Sequence, residues 1–104
     1  MKKFSNILPT LENTDHLQRI ELFNDDGSSA GIIENKPGSQ GSVKLYHHLF
    51  KKWGSITIDA AKEGLKLYAE HAEDAENNPG KHPNIDRLFS VIEDSKPLSV
   101  KICS

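Results

Sequence analysis

The sequence predicts an α+β domain: a small antiparallel or mixed sheet packed with three to four helices. Three observations point there. Period-two alternation flanks the turn Asn24-Asp-Asp-Gly27. Apolar residues then recur at helical spacing through the middle of the chain. Alternation returns at the end, where Leu98, Val100 and Ile102 interleave with Ser99, Lys101 and Cys103. Alternation puts every second side chain on one face of a strand, and three-to-four spacing lines one face of a helix. A hairpin, then helices, then a strand is the order of an α+β fold with its helices on one face of the sheet.

The elements follow in order. Residues 4–12 form a short helix interrupted near Pro9, whose ring removes a donor and crowds the preceding turn. Residues 16–23 place Ile20 and Leu22 on one strand face. Gly27 can take positive φ, and Ala30-Gly-Ile-Ile-Glu34 returns as the second strand of a hairpin. The segment 35–42, Asn-Lys-Pro-Gly-Ser-Gln-Gly-Ser, is too rich in turn formers for regular structure. Ser39 or Ser42 caps the next helix, which carries Tyr46, Leu49, Phe50 and Trp53 as its apolar stripe and stops at Gly54. A third helix opens at Thr57 or Asp59 and runs through Ala75. Its face of Ala61, Gly64, Leu65, Tyr68, Ala72 and Ala75 permits close approach by a neighbour. A second loop, Asn77-Asn-Pro-Gly-Lys-His-Pro83, ends it. A fourth helix presents Ile85, Leu88, Phe89 and Ile92, with Asn84 as its cap.

Composition bounds the function. The chain has 104 residues, read as one domain over 1–104, with a net charge of -2 from 13 basic and 15 acidic side chains. That balance gives no general pull toward nucleic acid or an anionic membrane. No apolar run approaches the roughly 20 residues of a membrane-spanning helix. The start, MKKFSNILPTLEN, is not a secretory signal, so a cytoplasmic location is expected. Cys103 is the only cysteine, which excludes an internal disulfide and a CxxC zinc site. No cofactor signature is present, and no histidine spacing argues for a metal. A domain of this size has room for a surface site and little for an enclosed one.

Four stretches can carry chemistry. The first is the loop bearing Lys36, Gly38, Ser39, Gly41 and Ser42. Its glycines let backbone amides approach a ligand, and the helix start behind it offers free N–H groups, as in an anion cradle. It is neither GxxxxGK[ST] nor GxGxxG. The second is the polar face of the following helix, where Lys44, His47, His48, Lys51 and Lys52 recur at helical spacing with no carboxylate between Ser39 and Ile58. That face suits an anionic small molecule or an acidic protein surface. The third is Glu70, Glu73, Asp74 and Glu76, acids at the C-terminal end of the third helix, where they oppose the macrodipole; Lys81 or Arg87 can compensate them. The fourth is Lys81-His82 beside Asp86. Here a small enzyme would use His82 as base, Asp86 to orient it, and Lys36 or Lys81 to stabilise developing negative charge.

Three stretches also carry a resemblance: Ile33-Glu-Asn-Lys-Pro-Gly-Ser39, Leu67-Tyr-Ala-Glu-His-Ala-Glu-Asp-Ala75 and Asn78-Pro-Gly-Lys-His-Pro-Asn-Ile-Asp-Arg-Leu88. The chain resembles a small family of bacterial proteins of unknown function. The resemblance implies a stand-alone cytoplasmic bacterial protein of about this length. It brings no activity, so no catalytic residue is carried over.

The leading expectation is a non-enzymatic binding or regulatory protein that recognises an anion through the first loop and the basic helix face. The alternative is a His82-based enzyme between the two loops, which requires those loops to lie side by side. A third reading pairs the basic and acidic faces in a homo-oligomer, and the exposed edges of a three-stranded sheet leave a homodimer open.

Overall fold

A computed structural model describes residues 3–104. Near the N-terminus, α1 (Phe4–Ile7) passes into a 3₁₀ turn at Leu8–Thr10, where Pro9 occupies the tolerated early position. Strand β1 (Arg19–Phe23) and strand β2 (Ser29–Glu34) form the hairpin. Its turn is closed by Asn24 N–H to Ser28 O at 2.8 Å, with Gly27 at φ 86°. The last strand, β3 (Ser99–Cys103), pairs on the other side of β1, so the antiparallel sheet has the order β2-β1-β3. This confirms the α+β class. The register puts Ile33, Ile20 and Ile102 in one row, and the helices cover that face.

Between β2 and β3 run α2 (Gln40–Trp53), α3 (Ile58–Tyr68), α4 (Glu70–Asn77) and α5 (Pro83–Asp94). With α1 that makes five helices, slightly more than expected. The extra one arises because the expected third helix breaks. Ala69 takes φ 55° and ψ −121°, a backbone region costly for a residue with a Cβ, and divides the helix into α3 and α4. No glycine or proline marks the break, so helical periodicity passes straight through it. Ala69→Gly should remove the strain. Allowing for the greater freedom of glycine in the unfolded chain, stability should rise by about 1 kcal/mol, read as a higher unfolding midpoint. An unchanged or lower midpoint would contradict this.

Two caps differ from expectation. Asn84 lies inside the first turn of α5, and His82 is the cap residue, with Pro83 at the first helical position. Ser39 does stand at the cap of α2, but its hydroxyl donates to the carbonyls of Glu34 and Lys36 instead, which closes the loop. Thr57 caps α3 by accepting from Ala60 N–H at 3.0 Å.

The core lies between the sheet and the helices. Gly64 explains how α3 fits there: a Cβ at this position would sit 2.7 Å from Leu88 of α5 and 3.0 Å from Leu49 of α2. Helix α2 buries more than one stripe, because it touches β1, β2, α3 and the N-terminal 3₁₀ turn. Val43, Leu45, Tyr46 and Leu49 are buried, while Phe50 is half-buried and Trp53 lies 37% exposed at the end.

The same enclosure takes in His47, which was expected on the outer face and is 5% exposed. Its Nε2 lies 3.5 Å from Glu12, and its buried Nδ1 has no hydrogen-bond partner. Burial pushes the imidazole below its ordinary value, against the opposing pull of Glu12. The folded state therefore favours neutral His47 more than the unfolded chain does. Its contribution to stability should be present above about pH 6.5 and be lost as pH falls below that. Thermal unfolding between pH 7 and pH 5 checks this: the wild type should lose stability more steeply than His47→Leu, and equal slopes would contradict it.

Candidate functional site: the cleft between the two loops

The two Gly/Pro loops lie side by side. Gly38 and Ser42 from the first, and Lys81, His82 and Pro83 from the second, line one cleft of about 290 Å³. Phe4, Tyr68 and His71 supply its aromatic wall. Phe4 stacks on Tyr68 with ring centres 5.2 Å apart and meets His71 edge-on at 5.2 Å. The Phe4 amide donates to Glu70 Oε1 at 2.7 Å, which fixes the N-terminal segment against α4 and holds that carboxyl below its usual range.

Each loop is braced from within. Gly38 adopts φ 97°, and Ser39 N–H donates to Lys36 O at 3.0 Å. Because the Ser39 hydroxyl is committed to the loop, the first turn of α2 has no side-chain cap. Ser42 accepts the Tyr68 hydroxyl at 2.7 Å, and burial raises that phenol far above its ordinary value, so it stays a donor. In the second loop, Gly80 N–H donates to Asp86 Oδ2 at 2.8 Å. Asp86 is thus a loop brace and does not orient His82.

Asp74 takes that part. His82 Nε2 lies 2.6 Å from Asp74 Oδ2, and Lys81 Nζ lies 3.1 Å from the same oxygen. The His82 hydrogen bond, then that of Lys81, holds the Asp74 carboxyl below its ordinary range. The His71 ring lies 5.8 Å from that of His82. The cleft therefore combines a carboxylate-braced imidazole, a second imidazole, an ammonium group, a serine hydroxyl and an uncapped helix start. Such a set can hold an oxyanion or move a proton.

The break at Ala69 also changes the meaning of the acidic run. Glu70 and Glu73 stand in the first turn of α4, where acids favour the macrodipole. Lys81 compensates Asp74 as anticipated, whereas Arg87 turns away to Ala30 O at 3.1 Å and Asn84 Oδ1 at 3.0 Å.

The other sequence candidates are dispersed. Lys36 pairs with Glu34 at 3.0 Å and, with Ser39, lines a second groove. Gly41 faces Phe4 and Leu8, and a Cβ there would lie 3.1 Å from the Phe4 ring. His48 and Lys52 both reach Glu63 of α3, at 2.7 and 2.6 Å. The run of α2 without carboxylates is thus answered by one from the next helix. Among the described residues, Lys44 and Lys51 make no ion pair. Sequence reasoning missed the places of Phe4, Tyr68 and His71 in the cleft, and it found Asp74 and its pair with Lys81 but not its bond to His82. A signal lies in His71 and Asp74, three residues apart in the same short helix.

No helix among the described residues is long and apolar enough to cross a membrane. A family model described as an uncharacterized protein conserved in bacteria (DUF2322) matches residues 4–102, and the chain belongs to that family. No curated protein and no solved structure matches it.

Proposed function

We propose that the protein binds a small anionic ligand in the cleft between its two loops. One observation carries the reading: Lys81, His82 and His71 meet the uncapped start of α2 in a single depression. Lys81 offsets the one charge of Asp74, the His82 and His71 rings add polar nitrogens, and the amides of α2 add a positive dipole end. Contact falls to the cleft. Lys44 and Lys51 add attraction at longer range, toward a free anion or the acidic surface of a partner, and this part should weaken with salt.

Calorimetric titration with inorganic phosphate at low salt tests the reading. The wild type should bind, and Lys81→Glu should weaken binding by roughly tenfold or more, about 1.4 kcal/mol per factor of ten. Lys81 is largely exposed, so this substitution spares the core. Unchanged binding in the variant, or none in the wild type, would overturn the proposal. Lys44→Glu with Lys51→Glu should lower affinity mainly at low salt.

A second reading, a small enzyme, is favoured by the 2.6 Å His82–Asp74 pair in the same cleft as the Ser42 hydroxyl. There His82 is the general base, positioned by Asp74, and Lys81 offsets developing negative charge. The oligomer reading loses His48, Lys52 and Asp74 to pairs within the chain and rests on the remaining charges of the two faces, Lys44 and Lys51 against Glu73 and Glu76. Light scattering at low and high salt tests it: a monomer at every ionic strength removes it.

A further inference from the structure

We infer that the ligand carries two separated anionic groups, one held in the cleft and the other across the Pro83–Asn84 ridge by Arg87 and Lys36. This rests on the anion-binding reading above and adds a ligand class to it. A second groove, of about 440 Å³, lies beyond the ridge and shares Pro83 and Asn84 with the cleft. The first loop also serves both sides. Gly38 and Ser42 face the cleft, while Lys36 and Ser39 face the groove.

Arg87 is the unusual group there. It is half-buried, and a charge withdrawn from water ordinarily has a counter-charge. Arg19, Lys36, Lys52 and Lys81 each have a carboxylate within 4 Å; among the described residues, Arg87 has none. Its guanidinium is nonetheless fixed. Nε donates to Ala30 O, Nη1 donates to Asn84 Oδ1, and the group lies 5.8 Å from the centre of the Tyr46 ring. Nη2 donates to no atom of the described residues and passes so close to Gly31 that a Cβ there would lie 2.4 Å away. With Nε on Ala30 and Nη1 on Asn84 and the Tyr46 hydroxyl, the immobilised guanidinium keeps Nη2 as a charged donor for a carboxylate or phosphate, organised before the ligand arrives. Lys36 is within reach of the same groove, and its exposed pair with Glu34 is weak enough to exchange. Asn84 joins the two sites: its side chain holds Arg87, and its carbonyl accepts the Tyr46 hydroxyl.

The competing view is that Arg87 only fastens α5 to the sheet edge. Calorimetry with inorganic phosphate and a series of alkane-α,ω-bisphosphonates, from one to six methylenes, separates the two. One spacer length should bind roughly tenfold more tightly than phosphate, the gain a second contact gives. Arg87→Gln should bring that ratio toward one. Lys36→Glu, an exposed change that leaves the core intact, should lower it in the same direction. No advantage at any length, an equal advantage at every length, or an advantage that survives both substitutions would overturn the inference. Phosphate binding without a spacer optimum leaves the single-anion reading standing, and no binding of either probe removes both.

Discussion

Leu88→Ala should cost about 2–5 kcal/mol, the range for deleting a buried leucine whose surroundings relax only in part. Leu88 is fully buried and reaches 2.7 Å from where a Cβ of Gly64 would stand, so it closes the contact between α3 and α5. Gly64 offers no side chain toward the gap, which leaves Leu45 and Leu49 of α2 as the nearest side chains beside it. Denaturant unfolding measures the loss. A cost below about 1 kcal/mol would mean that the helices are not packed as described. Gly64→Ala approaches the same contact from the other side. It gains helix propensity of about 1 kcal/mol but overfills a packed site at about 1–3 kcal/mol, so a smaller net loss is expected.

Asp74→Asn should separate the two functional readings. The carboxylate opposes any anion in the cleft while it orients His82 and Lys81. If the cleft only binds, removal of that negative charge should strengthen phosphate binding several-fold, as it removes a like-charge contact. If the cleft catalyses by way of His82, loss of the orienting carboxylate should reduce turnover by roughly 10²–10⁴-fold, the scale of a general base's contribution. The measurements are phosphate affinity and hydrolysis of activated esters, each for wild type and variant. Weaker phosphate binding in Asp74→Asn would contradict the binding account.

Much of the fold was legible because its elements announce themselves locally. Ile20 and Leu22 alternate around a strong turn, Thr57 caps α3 as expected, and Gly54 ends α2 at φ 81°. What stayed hidden depends on long-range contacts. The break at Ala69 has no composition signal, and it turned an apparent violation of the helix dipole into an ordinary first turn. Glu63 binds both His48 and Lys52 from another helix, which no reading of α2 alone can find. Burial of His47 follows from the elements packed around α2, with Glu12 of the N-terminal segment 3.5 Å from its ring, and not from the period of its own helix. The site was half legible. Lys81, His82, Gly38 and Ser42 stood out as loop residues suited to chemistry. Asp74 and Tyr68 join them only because α3, α4 and α5 bring distant positions together.

The central claim is that both loops form one anion site. Amide chemical-shift mapping during a phosphate titration of the intact protein tests it most directly. Amides of 38–42 and of Lys81, His82 and Asn84 should shift together along one saturation curve, with the rest of α2 unmoved. Shifts confined to one loop, shifts centred on Lys44 and Lys51, or no shifts at all would contradict it.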